Sequence, residues 1–340
     1  MTHEHYMQRC IDLASAGLGS VAPNPLVGAV IVYEGRIIGE GYHQKYGDNH
    51  AEINAIKSVS DLNLLKDSTL YVNLEPCSHY GKTPPCADAI IKYQIPSVVI
   101  GMKDPFSEVN GRGIEKLRNA GVNVITDVLS LECAELNKRF ITYHQQKRPY
   151  IILKWAESKD GFIGQEGHRV LISNEQSQIL VHRWRTEEQG IMAGKNTIAN
   201  DNPQLNVRKW KGRNPVRITI DRDGSLSKNL HFFDGSQSSI VFTRNSSENK
   251  INLEYITINE EEEELKQVLH HLYQKEIQSI IIEGGSKLLQ QFINSGLWDE
   301  ARVFHSENNL NTGIKAPLFN HSNMSETEIG NNKLRIYRNR

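Results

Sequence analysis

The pattern of apolar and polar positions divides the first part of the chain into alternating helices and strands. Tyr6, Cys10, Leu13 and Ala14 recur at helical spacing, so an amphipathic helix is predicted over residues 3–16. Further helices are predicted at 51–57, 86–92, 113–120 and 130–147, and strands at 26–32, 36–42, 69–73, 97–100 and 123–125. This alternation predicts a three-layer α/β/α domain.

The pattern is broken at Lys147-Arg148-Pro149, which predicts a boundary between a domain at 1–147 and a domain at 148–340. The chain has 340 residues, more than one hydrophobic core usually supports. Beyond the boundary, strands are predicted at 150–154, 190–193, 216–221, 239–242, 255–258, 279–282 and 301–305, and helices at 175–186 and 260–275. The second helix begins with a run of glutamates, which suits the positive end of a helix without any functional role.

Composition narrows the classes of partner. Lys and Arg number 39 and Asp and Glu number 40, so the formal charge of −1 provides no overall basic surface for nucleic acid or an anionic membrane. No apolar run reaches the length of a membrane span, and the polar first residues do not resemble a signal peptide. Four cysteines are too few for a disulfide scaffold, and we expect Cys10 and Cys133 to be core residues. A cytoplasmic protein is expected.

Three potential metal ligands occur in an order that indicates a catalytic zinc site. His50 and, further along, Cys77 and Cys86 provide one imidazole and two thiolates. Three protein ligands leave the fourth tetrahedral position of zinc to water, as in catalytic sites. Glu52, two residues after the histidine, is expected to transfer protons, and this division of roles is the one found in zinc deaminases. Either half of the pattern alone would be weak evidence, because buried cysteines and His-x-Glu pairs are common.

Asn24 is the candidate for reading the substrate in this half. It lies between Pro23 and Pro25, which restrict the backbone around it. Its amide can both donate and accept hydrogen bonds, as recognition of a pyrimidine edge requires. An asparagine that merely caps a turn is an alternative that the sequence leaves open.

Gly284-Gly285 is the most informative pair in the second half. It follows an apolar strand and precedes a predicted helix, so a phosphate could approach the exposed N–H groups at the helix start. A plain connector between strand and helix is equally compatible with the pair, and no G-x-G-x-x-G fingerprint is present.

Two groups of motifs resemble one family. Residues 75–86, Glu-Pro-Cys-Ser-His-Tyr-Gly-Lys-Thr-Pro-Pro-Cys, are similar to the zinc loop of the bifunctional riboflavin-biosynthesis deaminase/reductases. Leu153-Lys154, Ser158-x-Asp160-Gly161, the segment 197–208 and Glu283-Gly284-Gly285 resemble the reductase half of that family. The resemblance implies a cytidine-deaminase-like three-layer α/β/α domain followed by a dihydrofolate-reductase-like α/β domain.

The resemblance also implies an activity. The first domain would use Zn²⁺ to deaminate 2,5-diamino-6-ribosylamino-4(3H)-pyrimidinone 5′-phosphate by hydrolysis. The second would use NADPH to reduce the ribosyl group of the product to ribityl. His50, Cys77 and Cys86 would bind zinc, Glu52 would transfer protons, and Asn24 would contact the substrate.

In the second half the resemblance implies two groups of positions. Substrate contacts are implied at Lys154, His168, Arg185, Leu205, Arg208 and Glu283. Contacts with NADPH are implied at Ala156, Val170, Thr197, Asp201, Gly285, Ser286, Lys287, Leu288 and Leu289. The arginines suit bidentate contact with a phosphate, although each alone could be a solvated helix charge. Departures from the family pattern occur at Lys159, at His168, where a serine is usual, at Asn202 and at 304–306.

Several alternatives remain open at this point. Lys154 and Asp201 are both candidates for assisting hydride transfer. The second half could have lost catalysis and serve as a binding or dimerisation module, and the zinc domain could act on RNA. We expect a small phosphorylated pyrimidine as substrate, neither nucleic acid nor membrane as partner, and a homo-oligomer formed through the reductase domain.

Overall fold

The chain forms two compact units, Met1–Lys147 and Arg148–Arg340, and each has its own hydrophobic core. The computed structural model describes residues 2–78, 84–105, 111–167, 170–245 and 247–339. Within these ranges, no helix combines the length and the apolar character needed to cross a lipid bilayer.

The first unit contains six α-helices, one short 3-10 helix (Leu62–Asp67) and five strands among the residues described. The helices are α1 (His3–Ser15), α2 (Ala51–Ser58), α3 (Cys86–Lys92), α4 (Arg112–Asn119), α5 (Ser130–Leu136) and α6 (Lys138–Gln146). The strands are β1 (Gly28–Tyr33), β2 (Arg36–Tyr42), β3 (Thr69–Leu74), β4 (Ser97–Met102) and β5 (Asn123–Ile125). The strand order is β2-β1-β3-β4-β5, with β1 antiparallel to both neighbours and β3, β4 and β5 parallel.

Helices cover both faces of this sheet, because the strands are apolar on both sides. On one face α2, α3 and α4 pack through residues such as Ala55, Ile90 and Leu117. On the other face α1 and α5 bury Cys10 and Cys133, which are fully inaccessible to solvent. The predicted three-layer α/β/α arrangement is confirmed.

The predicted helix at 130–147 is wrong as a single element, because it is interrupted at Asn137. The Asn137 side chain accepts the backbone N–H of Leu26 and donates to the carbonyl of the same residue, each over less than 3 Å. These bonds connect the break to the segment just before β1. A distant hydrogen-bonding partner of this kind leaves no mark on the local periodicity.

The second unit has one large sheet and a short two-stranded one. Its strands are β6 (Tyr150–Glu157), β7 (Phe162–Gly164), β8 (Gly190–Met192), β9 (Val216–Ile220), β10 (Ser239–Thr243), β11 (Leu253–Thr257), β12 (Ser279–Glu283), β13 (Glu300–Ser306), β14 (Ile314–Lys315), β15 (Met324–Ile329) and β16 (Asn332–Arg338). Its helices are α7 (Glu175–Glu187), α8 (Lys195–Asp201), α9 (Glu264–Gln274) and α10 (Ser286–Ser295). The large sheet has nine strands in the order β11-β10-β9-β8-β12-β6-β13-β16-β15, and β14 pairs with β7.

Parallel pairing from β11 to β13 brings the carboxyl ends of seven strands to one edge of the sheet. One face packs on α9 and α10 through Val268, Leu272 and Phe292, and the other packs on α7 and α8 through Val181 and Ile198. Loops at such an edge are the usual place for ligands in an α/β sheet.

Several features of the second unit differ from the predictions, among them α8 and the small sheet of β7 and β14, which were not predicted. The antiparallel hairpin of β15 and β16 was not predicted, because its exposed first strand is mostly polar. The acidic helix begins at Glu264, four residues later than predicted, so most of the glutamate run precedes the helix.

Candidate active sites

The three predicted zinc ligands meet beside the carboxyl end of β3. His50 is the residue immediately before α2, Cys77 follows the end of β3, and Cys86 is the first residue of α3. Their ligand atoms all lie within 4.8 Å of one another. Nδ1 of His50 is 3.5 Å from Sγ of Cys77 and 3.3 Å from Sγ of Cys86.

These separations fit one zinc ion. Zn–N bonds of about 2.0 Å and Zn–S bonds of about 2.3 Å, set at the tetrahedral angle, separate nitrogen from sulfur by roughly 3.6 Å. The donor set, one imidazole and two thiols, is also the chemistry that zinc prefers. The fold therefore brings His50, Cys77 and Cys86 together as a site for this metal. Residues 79–83, in the loop between the two cysteines, lie outside the described part of the chain.

Hydrogen bonds within the trio favour a thiolate. Those from Cys86 and His50 lower the pKa of Cys77 to about 4, and the Cys86 backbone N–H also donates to this sulfur over 3.3 Å. The same contact with Cys77 is the main reason that the pKa of His50 is raised to about 9. A deprotonated thiol is the form that binds metal.

Glu52 lies in the first turn of α2 and is 3% exposed. Burial raises the pKa of its carboxyl group above the ordinary value, and the nearby Cys77 thiolate raises it further. A carboxyl group whose pKa is shifted toward neutrality can both accept and release a proton at working pH.

Asn24 contacts a histidine that the sequence interpretation missed. Its Nδ2 lies 3.0 Å from Nε2 of His43, and Nδ1 of His43 lies 3.0 Å from the backbone carbonyl of Asn49. A carbonyl only accepts, so Nδ1 carries the proton and Nε2 accepts from the Asn24 amide. The His43 ring also packs edge-on against His50, with centroids 5.6 Å apart. The only signal in the sequence is the position of His43 at the end of a strand.

Glu75 anchors the start of the zinc loop and was also not predicted. It is 4% exposed, and its carboxylate accepts four backbone N–H groups, from Asp104, Gly111, Gly113 and Ile114. These bonds connect the Glu75-Pro76-Cys77 segment with the start of α4.

The candidate substrate site of the second unit is built on a buried ion cluster. Glu283, at the end of β12, accepts two hydrogen bonds of 2.8 Å from the Arg185 guanidinium on α7. Lys154 on β6 lies 3.6 Å from the same carboxylate. Burial lowers the pKa of Lys154, and Arg185 and Lys154 together hold the pKa of Glu283 at about 2 despite its burial. These three predicted residues are therefore brought together.

Arg208 is exposed, whereas Arg185 is engaged within the protein. The third contact of Arg185, from Nη1, goes to the carbonyl of Asn206 over 2.9 Å. The Arg208 backbone N–H lies 3.3 Å from Nδ1 of His182, a buried residue one turn before Arg185 that the sequence interpretation missed. Burial, followed by the nearby arginines, lowers the pKa of His182 to about 4, so the ring is neutral at physiological pH.

The predicted cofactor positions form a second group at the same edge. Gly284 and Gly285 have φ of +83° and +81°, and a Cβ added to either would lie 3.2 Å or less from the Thr197 side chain. Only glycine combines this backbone with such a close approach, so both positions require glycine for packing on Thr197. Ser286 opens α10, Lys287 is exposed, and Asp201 is exposed at the far end of α8.

Some predicted positions are available only through their backbone. The side chains of Leu205, Leu288 and Leu289 are buried in the two cores of this unit. Ala156 lies on β6 and packs against the same core as Leu205. Val170 lines a cavity near the carboxyl ends of β6 and β13. His168 lies outside the described residues.

Comparisons with known proteins match both units. The family model of the cytidine and deoxycytidylate deaminase zinc-binding region matches residues 1–102, and the model of the RibD C-terminal domain matches residues 149–308. The first unit is thus a zinc-binding deaminase domain, and the second is a reductase domain of the dihydrofolate-reductase-like class that uses NADPH.

Relatives cover nearly the whole chain. A riboflavin biosynthesis protein RibD from Aquifex aeolicus is 38% identical over 92% of this chain and 88% of the relative, and one from Bacillus amyloliquefaciens is 36% identical over 88% and 83%. A crystal structure from Thermotoga maritima, described as a diaminohydroxyphosphoribosylaminopyrimidine deaminase/5-amino-6-(5-phosphoribosylamino)uracil reductase, superimposes with a TM-score of 0.90 at 38% identity, covering 99% of this chain and 98% of that one. The chain belongs to the RibD family of bifunctional riboflavin biosynthesis enzymes.

Proposed function

We propose that the first unit deaminates 2,5-diamino-6-ribosylamino-4(3H)-pyrimidinone 5′-phosphate and that the second reduces the ribosyl group of the product to ribityl. The observation that carries the first reaction is the convergence of His50, Cys77 and Cys86 within 4.8 Å, beside the buried carboxyl of Glu52. The names of the relatives support the choice of substrate.

Glu52 moves the protons of the deamination. His50, Cys77 and Cys86 would hold a zinc ion, which would supply a water acidic enough to be deprotonated near neutral pH. Glu52 accepts that proton and delivers it to the departing ammonia, so one carboxyl group serves both halves of the reaction. Asn24, its amide oriented by His43, contacts the pyrimidine.

Substitution of the ligands tests the metal assignment. Cys77→Ser and Cys86→Ser should each lose zinc and deamination together, because a hydroxyl is a poor replacement for a thiolate. Cys10→Ser, which changes a buried cysteine elsewhere in this unit, is the matched control and should keep its zinc. Full zinc content in both ligand variants, measured by elemental analysis, would refute the assignment.

In the second unit Arg208 binds the 5′-phosphate, and the Lys154, Arg185 and Glu283 cluster borders the ribose. Thr197 and the N-terminal end of α10 at Gly285 would hold the pyrophosphate of NADPH, which would supply the hydride when bound. The exposure of Arg208 supports its role: its guanidinium donates over 3.1 Å to Oδ1 of Asn206, on the exposed side of that segment. Arg185, by contrast, is largely buried and donates to Glu283 and to the Asn206 carbonyl.

Removal of the Arg208 side chain tests the phosphate contact. A charge-assisted hydrogen bond contributes roughly 1.5–3 kcal/mol, so Arg208→Ala should raise KM for the phosphorylated substrate about tenfold or more. KM for the dephosphorylated analogue should not change. Equal effects on the KM of the two compounds would rule out this role. Arg183→Ala, which changes an exposed arginine on α7, is the control and should leave both KM values unchanged.

Lys154 is the stronger candidate for assisting hydride transfer. It is largely buried beside Glu283, whereas Asp201 is exposed at the end of α8. We expect Lys154→Met to lower kcat of the reduction and Asp201→Ala to weaken NADPH binding. The opposite pattern, in kcat and in the Kd of NADPH measured by fluorescence, would exchange the two roles.

We propose a homo-oligomer formed through the second unit, located in the cytoplasm. Strand β15 lies at the edge of the sheet with most of its residues exposed, and such an edge can pair with another chain. Free Cys77 and Cys86 suit a reducing compartment. Sedimentation velocity of the protein with and without Glu328→Pro, which removes a β15 backbone N–H that the alternation of the hairpin directs away from β16, tests the assembly.

A further inference from the structure

A cavity of about 400 Å³ lies at the carboxyl end of β6 and β13, and no role has been assigned to most of its lining. We call it the ring pocket. Its polar and apolar lining includes Ser158, Ser306, Asn308, Asn309, Val170 and Leu310. The volume lies within the range of small-molecule sites.

The ring pocket continues the sheet face that carries the candidate substrate residues. Lys154 and Ala156 alternate with core residues of the opposite face along β6, so Ser158, two residues further, lies on the same side. Phe304 on β13 pairs with Ala156 on β6, and Ser306, two residues after Phe304, lies on the same face of the sheet. At about 3.3 Å per residue, Ser158 is roughly 13 Å along the chain from Lys154.

The strand order places the ring pocket on the far side of the ribose site from the phosphate site. Arg208 is in the segment that follows β8 and α8, whereas the pocket follows β6 and β13. Glu283 on β12 lies between the two in the order β8-β12-β6-β13, and Lys154 lies on β6 itself, before the pocket. In the substrate, phosphate and pyrimidine are likewise attached on opposite sides of the ribose.

The chemistry of the lining suits a flat ring with an amide-type edge. Asparagine amides both donate and accept hydrogen bonds, which matches the alternating N–H and C=O groups of a uracil ring, whereas the Ser158 hydroxyl already donates to Asp160 and accepts from the Phe162 N–H. Leu171 and Leu310 provide apolar surface for the ring faces. Asn308 and Asn309 are exposed, so their side chains can be changed without opening a core.

We propose that the ring pocket binds the pyrimidine ring of the reductase substrate, with Asn308 and Asn309 as its specificity-determining residues. This rests on the proposed reductase function. The nicotinamide carboxamide of NADPH has similar donors and acceptors, so the experiment has to separate the two rings.

The test uses the full chain carrying Asn308→Ala and Asn309→Ala together, with Asn320→Ala, an exposed asparagine outside the lining, as control. Loss of two ordinary hydrogen bonds should weaken binding of the deaminated nucleotide about tenfold, measured by calorimetry. Binding of ribose 5-phosphate, which lacks the ring, and of NADPH, followed by its fluorescence, should match the unmutated protein.

Two results would overturn the proposal. Unchanged nucleotide affinity would show that the pocket does not hold the pyrimidine, and weaker NADPH binding with unchanged nucleotide affinity would assign it to nicotinamide. Failure of the reductase function itself would be seen separately, as no NADPH oxidation by the unmutated protein supplied with the nucleotide. Because the binding measurements need no turnover, the two failures are distinguishable.

Discussion

Glu52 and Glu283 are both buried carboxyl groups, yet their surroundings move their pKa values in opposite directions. Burial and the Cys77 thiolate raise the pKa of Glu52. Burial would also raise the pKa of Glu283, but Arg185 and Lys154 lower it to about 2. The first carboxyl is therefore suited to exchanging protons, and the second stays ionised to hold two cations in place.

Glu52→Gln separates proton transfer from metal binding. Glutamine keeps the shape of the side chain and removes the base, so zinc should stay bound. General acid–base assistance contributes 10²- to 10⁴-fold, and a group that acts twice should fall in the upper part of that range, so deamination should drop by at least about 10³. Near-normal deamination, or loss of zinc in elemental analysis, would contradict the role of Glu52.

His182 should make the second unit sensitive to mild acid. Its folded pKa of about 4 is below the ordinary value of roughly 6.5, so the unfolded chain binds a proton first as the pH falls. The contribution of the neutral ring is fully present above about pH 6.5 and is lost as the pH falls toward 4. His182→Asn keeps an acceptor for the Arg208 N–H and removes the titration. In denaturant unfolding it should lose less stability than the unmutated protein over this interval, and equal losses would contradict the assignment.

Helix starts organise the deaminase site. His50 precedes α2 and Cys86 begins α3, so both ligands lie at N-terminal helix ends, and the Cys86 backbone N–H at the start of α3 favours the Cys77 thiolate by donating to it. The N-terminal end of α4 is connected to the zinc loop, because the backbone N–H groups of Gly113 and Ile114 donate to the Glu75 carboxylate. Helix α4 can pack this closely against Pro76 because Gly113 has no side chain.

Gly113→Ala should disturb the zinc loop from outside the site. A Cβ at this position would lie 2.0 Å from the carbonyl oxygen of Pro76, so the backbone next to Cys77 has to move. We expect weaker zinc retention against a competing chelator and slower deamination. Gly164→Ala, where the added Cβ meets open space, is the control and should bind zinc normally. Unchanged zinc affinity in Gly113→Ala would show that the loop tolerates the shift.

Because each unit has its own core, the two activities should be separable in the intact protein. Removal of zinc by a chelator should abolish deamination, since the ligands all belong to the first unit. Reduction of supplied deaminated nucleotide by NADPH should continue at close to the starting rate, and added zinc should restore the first activity. A parallel loss of both activities on chelation would show that the second unit depends on the metal.

The sequence alone determined the features that depend on local pattern and residue chemistry. The bounds of α3 and β5 were predicted as observed, and His50, Glu52, Cys77 and Cys86 were selected because few residue types bind zinc or transfer protons at that spacing. Periodicity reports burial within one element, and ligand chemistry is a property of the side chain itself.

Only the tertiary structure decided which distant residues meet. Asn137 ends a helix by bonding to Leu26, and His43 orients Asn24, although neither partner is visible in the local pattern. Likewise, Glu283 engages the Arg185 guanidinium although the two residues are 98 positions apart in the chain. Such contacts form when the sheet brings strand ends together, so their geometry depends on packing of the whole unit and not on any stretch of sequence.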